Sequence, residues 1–228
     1  MTETTKRGRR GPKRALTEDQ ILDAALALLD EGGPAAASVR GIAARVGVAP
    51  NAVYTYFPDK AAVVKGVVER LLGEVHAAAP VVPGRPWRDS IEDLAVALRR
   101  RLGAHPGAVP LMIGGPIDGP HALSLGERLL ELLDQAGLAP EDAARASYLL
   151  ITYTFGSIAL EVAEAHSDGP LRPEEERVAW RLAAFATTPA EHYPRSAAVA
   201  PTMAAYVSTD QYLFGLHRVL DGIADLAR

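Results

Sequence analysis

Residues 38–60, SVRGIAARVGVAPNAVYTYFPDK, constrain the fold more than any other part of the chain. Ser38 can cap a helix by accepting a backbone N–H, and Ile42, Ala43 and Val46 would be the inward positions of that helix. Gly47 stands where the chain must turn sharply, and glycine tolerates the left-handed backbone such a turn needs. Pro50 suits the first turn of the following helix, where its missing N–H costs nothing. Val53 and Phe57 would face inward, Pro58 would close that helix, and Asp59 would cap the next. The second of two short helices is thereby left with exposed polar and aromatic groups, which is the geometry of a device that reads DNA.

Charge strengthens this reading. Residues 1–14 hold six of the 24 basic residues and one of the 28 acidic ones, a net charge of +5, which leaves −9 on the rest. A cationic arm on an acidic body is expected to meet phosphates at one end only. Arg9 and Arg10 lie in that arm and would add salt-dependent affinity that ignores sequence.

The remainder reads as all-α. Thr17-Glu18-Asp19-Gln20 is a capping-box pattern that opens a first helix, ended by Gly32-Gly33-Pro34. After Asp59 a fourth helix runs through Val64, Val67, Leu71 and Val75. Further helices are expected over residues 87–104, 122–136, 140–166 and 173–186, with a last one capped by Asp210 and reaching Leu226. Residues 105–120 are rich in Gly and Pro, so helix there is short or absent, and 187–209 read as mostly irregular apart from a turn or two near 197–206. The domains implied are a flexible arm (1–16), a three-helix DNA-reading unit (17–62) and a larger helical unit (63–228). With no cysteine, neither a disulfide framework nor a thiolate metal site is possible. No apolar run approaches the ~20 residues that span a bilayer, so a cytoplasmic protein is expected.

The segment VRGIAARVGVAPNAVYTYFPDKAAVV, residues 39–64, closely resembles the DNA-binding region of the tetracycline-repressor (TetR) family of bacterial regulators. Ile42-Ala43, Gly47-Val48, Val53-Tyr54, Tyr56-Phe57 and Lys60 carry the likeness in order. Trp87-Arg88-Asp89, Phe155-Gly156 and the run from Gln211 to Leu216 are similar to the tetracycline-repressor subgroup. The resemblance implies a repressor that binds a pseudo-palindromic operator as a homodimer and is released by a small effector. Arg40 is the leading base reader, because a bidentate arginine suits guanine. Asn51 can pair with an adenine edge, while Pro50 and Ala52 offer apolar contact to a thymine methyl. Tyr54, Thr55 and Tyr56 follow, and the resemblance assigns the tyrosine hydroxyls and Lys60 to phosphates; inward packing is the competing reading for Tyr56.

The implied effector pocket lies among the middle helices, with His76, Trp87, Leu94, Leu98, His105, Met112, Ile113, His121, Tyr148, Tyr153 and Phe155 as its residues. His76 matches a ligand-contacting histidine of the subgroup. Leu94, Leu98 and Met112 replace polar positions there, Met112 in place of a metal-binding histidine, so a more apolar effector without a metal is expected. Residues 114–119 read as its moving part. The implied dimer interface uses the 140–166 and final helices, through Leu149, Leu160, Leu216, Val219, Leu220 and Ile223; packing on the chain's own core competes for the same residues. Two other classes compete. A helical enzyme would need convergent titratable groups, yet the six histidines are scattered, and Glu161, Glu164 and His166 read as a solvated helix end. A structural DNA binder without effector does not need so large an apolar body.

Overall fold

A computed structural model of the chain describes residues 16–114, 117–163 and 171–227. The basic arm with Arg9 and Arg10, and also Glu164 and His166, lie outside the described residues. Every regular element among the described residues is a helix, as the sequence predicts. They run α1 (Glu18–Ala36), α2 (Val39–Val46), α3 (Pro50–Tyr54), α4 (Lys60–Ala78), α5 (Trp87–Ala104), α6 (Val109–Gly114), α7 (Pro120–Gln135), α8 (Pro140–Val162), α9 (Glu174–Phe185), α10 (Pro194–Ala198), α11 (Ala200–Ala204) and α12 (Thr209–Leu226).

Local chemistry sets the ends of the first elements. The Thr17 hydroxyl accepts the Gln20 N–H at 3.3 Å while the Gln20 side chain accepts the Thr17 N–H at 3.2 Å. α1 breaks at Gly32 and Gly33, where Gly33 has φ 66°, and Pro34 opens one further turn. Ser38 caps α2 by accepting the Gly41 N–H at 3.0 Å. α2 ends on the left-handed Gly47, whose N–H donates to the Ala44 carbonyl while the Val48 N–H donates to that of Ala43. Asp59 caps α4 through the Ala62 N–H at 2.8 Å.

Four expected boundaries move. α3 stops at Tyr54, three residues before Phe57, because the chain leaves the helix ahead of Pro58. Residues 105–120 hold a 3₁₀ turn (Pro106–Ala108) and α6, each opening with a proline in its first turn rather than broken by it. Residues 187–209 hold α10, α11 and a second 3₁₀ turn, Ala205–Val207. Ser208 rather than Asp210 caps α12, accepting the Gln211 N–H at 3.1 Å.

Two large apolar clusters form the interior. The first joins Ile21, Leu29, Ile42 and Val53 of the N-terminal helices to Val68 and Leu71 of α4, and continues into Leu102, Val109, Met112 and Ile158. The N-terminal helices therefore share one core with the body. The second joins Ile91 of α5, Leu133 of α7, Ala146 and Leu150 of α8 and Leu216, Leu220 and Ile223 of α12. Burying such side chains contributes roughly 1.5–3 kcal/mol each, so both clusters hold the helices firmly. Arg128 of α7 is buried, which lowers its pKa, and its guanidinium donates to the carbonyls of Ala79 and Pro80 at the end of α4.

Candidate DNA-reading face and effector cavity

α2 and α3 present the face expected to read DNA. Arg40, Pro50, Asn51, Tyr54 and Thr55 are exposed, and Ala52 is half-buried beside them. The Thr55 hydroxyl folds back to the Asn51 carbonyl at 3.3 Å. Tyr56 is different: its phenol donates to the Leu16 carbonyl at the start of α1, so the hydroxyl is used within the protein. Lys60 donates to the Pro34 carbonyl at 2.9 Å, and an ammonium with three donors keeps two for a phosphate. Arg45 grips Glu31 with both guanidinium prongs, one at 2.9 Å, and that hydrogen bond holds the Glu31 carboxyl below its ordinary range. The pair ties α2 to α1. No local sequence signal announces it, since the partners lie fourteen positions apart.

A cavity of about 180 Å³ lies among α4, α5, α7 and α8. Its walls are Leu72 and Val75 of α4, Ile91, Leu94, Ala95 and Leu98 of α5, Ala122, Leu125, Gly126 and Leu129 of α7, and Leu150, Ile151, Thr154 and Phe155 of α8, with Ile117 beside them. Among the described residues no charged side chain lines it, and Thr154 is the only polar one. The Tyr212 phenol donates to the Ala95 carbonyl at 2.9 Å. Burial pushes that phenol well above its ordinary pKa, so it stays protonated.

Of the residues expected at a pocket, the structure brings Leu94, Leu98 and Phe155 together there. The others lie elsewhere. Met112 is sealed in the first core, and Ile113 is exposed. Trp87 packs on the second core. His105 pairs with Asp30 of α1, Nδ1 to Oδ2 at 2.7 Å. His121 lies at the first turn of α7, its ring against Gly73. Tyr148 is exposed on α8, and the Tyr153 phenol donates to the Tyr212 carbonyl at 2.7 Å. His76 is outside the cavity wall, with Nδ1 buried and unbonded. The residues missed sit at helical spacing, such as Ala122, Leu125, Gly126 and Leu129, and that spacing announces a buried face without saying whether it meets side chains or a hollow.

The expected interface residues also divide. Leu216, Leu220 and Ile223 are buried in the second core and Val219 packs against it, because the apolar stripe of α12 faces the chain's own body. Leu160 of α8 is 74% exposed and Leu149 is 49% exposed, joined outside by Tyr148 and by Phe214 and Leu226 of α12. Glu161 is not a solvated helix end. It is buried and holds Arg99 and Arg177. The described residues contain no group of three or more His, Asp or Glu placed to hold a metal.

Two family descriptions match. "Bacterial regulatory proteins, tetR family" covers residues 21–67, and "Tetracyclin repressor-like, C-terminal domain" covers residues 79–227. An HTH-type transcriptional regulator of Saccharopolyspora erythraea is 34% identical over 156 residues, which span 68% of this chain and 65% of that one. The HTH-type transcriptional repressor DrrR1 of Streptomyces coeruleorubidus is 29% identical over 98% of this chain and 83% of its own length. The crystal structure of a possible TetR family transcriptional regulator from Streptomyces coelicolor A3(2) superposes with a TM-score of 0.76 at 29% identity, covering 92% of this chain and all of that one.

Proposed function

The chain belongs to the TetR family of bacterial transcriptional regulators, with a DNA-binding and a ligand-binding region, and from that premise we propose that it is a repressor released from a pseudo-palindromic operator by a small, largely apolar effector. One observation carries the reading. α4 begins beside the exposed face at Lys60 and ends in the cavity wall at Leu72 and Val75. At 1.5 Å per residue, about 22 Å of continuous helix joins the two. A ligand that prefers one tilt of α4 shifts the reading face by its differential affinity for two states. Residues 17–62 would read DNA, with Arg40 and Asn51 on bases and Tyr54 and Lys60 on phosphates. Residues 63–228 would bind effector and pair two protomers. The role is regulatory rather than enzymatic, exercised in the cytoplasm, where the DNA lies. The relative DrrR1 is itself a repressor by name.

Selection of random duplex DNA on the purified protein tests this. The expected product is an inverted repeat, with Arg40→Ala weakening its binding roughly tenfold or more, the worth of one bidentate base contact. Enrichment that is salt-sensitive but blind to sequence would overturn the reading.

The exposed apolar face of α8 and α12 is the interface this reading requires, because such a patch is seldom left to water. Leu160→Glu is expected to convert dimers to monomers at micromolar concentration in sedimentation velocity while leaving the helical circular dichroism intact. A variant that stays dimeric would place the interface elsewhere.

A further inference from the structure

α7 opens without a cap of its own. Gly119 stands at its N-cap with no side chain to offer, and Pro120 in the first helical position has no N–H. The next two N–H groups, of His121 and Ala122, donate to the carboxylate of Glu69 on α4, at 2.7 and 3.2 Å. The Leu123 N–H closes the first turn on the Gly119 carbonyl at 2.9 Å. The donors that α7 cannot satisfy itself are thus taken up by one side chain of another helix. Gly119 shows how close the junction is. Its backbone, φ −84° and ψ 170°, is open to any residue, yet an added Cβ would lie 2.1 Å from the Glu69 carboxyl carbon. Lys65, Glu69 and Gly73 follow one another at four-residue spacing, so one stripe of α4 meets the start of α7. Lys65 pairs with Asp118 at 2.8 Å, and the His121 ring covers Gly73, where a Cβ would lie 3.0 Å from Nε2. The Lys65 and Asp118 side chains are 43% and 64% exposed, so water screens that pair and Glu69 carries the junction.

The capped turn runs directly into the cavity wall at Ala122 and Leu125, with Ile117 ahead of it, while α4 enters the wall at Leu72 and Val75. Glu69 does not line the hollow. Resting on the effector-cavity reading above, we infer that Glu69 is the positioning residue that makes α4 follow α7: a ligand that displaces the α7 wall carries α4 with it through this cap, and without the cap the cavity and the DNA-reading face bind their ligands independently. Apolar side chains that face each other across a hollow can slide at little cost. A carboxylate on two N–H groups cannot slide without leaving buried donors unpaired, because hydrogen bonds weaken steeply out of line. A carboxylate at a helix start is also among the stronger hydrogen-bond acceptors and is favoured by the helix dipole.

The test uses the full-length protein, the selected inverted repeat as duplex DNA, and naphthalene as an uncharged apolar probe. DNA affinity is measured by fluorescence anisotropy with and without saturating naphthalene, and naphthalene affinity by its own fluorescence. In the wild type naphthalene is expected to weaken DNA binding by about fivefold or more, the lower end of allosteric coupling. Glu69→Ala should bring that ratio to about one while naphthalene affinity stays as in the wild type. Glu69→Gln keeps one acceptor for the α7 N–H groups and should give an intermediate ratio. Gly119→Ala displaces the carboxylate without altering it, so it should act as Glu69→Ala does, and the double variant should lose no more coupling than either alone. A merely structural loss would lower DNA affinity with and without the probe and leave the ratio alone. If Glu69→Ala keeps the wild-type ratio, the inference falls while the cavity reading stands. If naphthalene does not bind the wild type, or binds without weakening its hold on DNA, the cavity is not an effector site, and both fall.

Discussion

Gly107→Ala is expected to lower the melting temperature by several degrees, although it adds a single methyl group. Gly107 sits in the 3₁₀ turn between α5 and α6, where the chain passes against the last turns of α1. A Cβ there would lie 1.9 Å from the Leu29 carbonyl oxygen and 2.3 Å from its carbon. Both obstacles are backbone, so no rotamer relieves the clash; α1 and the turn must separate. Overpacking of this kind costs about 1–3 kcal/mol, and more when the backbone must yield. For a chain of this size each kcal/mol shifts the midpoint by about 2–4 °C. The same separation would stretch the His105–Asp30 contact, which spans the same junction at 2.7 Å. Because α1 carries α2 and α3, operator affinity should fall together with stability. Gly126→Ala is the control. Nothing lies within 4 Å of its added Cβ, and a helical alanine in place of glycine should raise stability by up to about 1 kcal/mol. A Gly107→Ala protein that melts within 2 °C of the wild type, measured at equal protomer concentration, would mean that the junction is pliant.

The contrast between these glycines shows what was legible in the sequence. Thr17, Ser38 and Asp59 announce their helices because each cap bond closes within three residues. Gly47 announces its turn for the same local reason. The ends of the first helices were therefore readable residue by residue, whereas the contacts of Tyr56 and Lys60 were not, since their partners Leu16 and Pro34 lie 40 and 26 positions away. Periodicity located the apolar stripe of α12 but could not say whether its partner was a second protomer or α7 and α8 of the same chain. It located the stripes of α5 and α7 without revealing the hollow between them, since a cavity wall and a core wall have one pattern. The helices of residues 105–120 and 187–209 were hidden because their prolines open short turns, and a five-residue helix carries too little periodicity to register.

Glu161→Ala is expected to destabilise the fold by about 3–5 kcal/mol, the cost of leaving buried charge without its counterpart. One carboxylate holds two guanidinium groups: Arg99 through Nε at 2.8 Å and Nη2 at 2.9 Å, and Arg177 through Nη2 at 2.8 Å. All three side chains are about nine-tenths buried, so water cannot replace the lost partner. Glu174 shares the load from the start of α9. Burial pushes its carboxyl up, but hydrogen bonds from the Thr209 hydroxyl and N–H and from Arg99 outweigh it and leave the pKa lowered. The cluster thus pins α9 to α5, α8 and the start of α12. Arg177 already has Nη1 buried and unbonded, and without Glu161 its charge would face that of Arg99 across a dry gap. The loss should be local before it is global: hydrogen exchange in α9–α11 should quicken at denaturant levels that leave α1–α4 protected. Replacing the three partners together by Leu, Met and Leu should recover most of the stability, because the ion cluster offsets its own desolvation rather than adding to a well-packed core. If Glu161→Ala and the triple variant melt alike, removing the unpaired charge recovers nothing, and the loss is that of a favourable ion cluster.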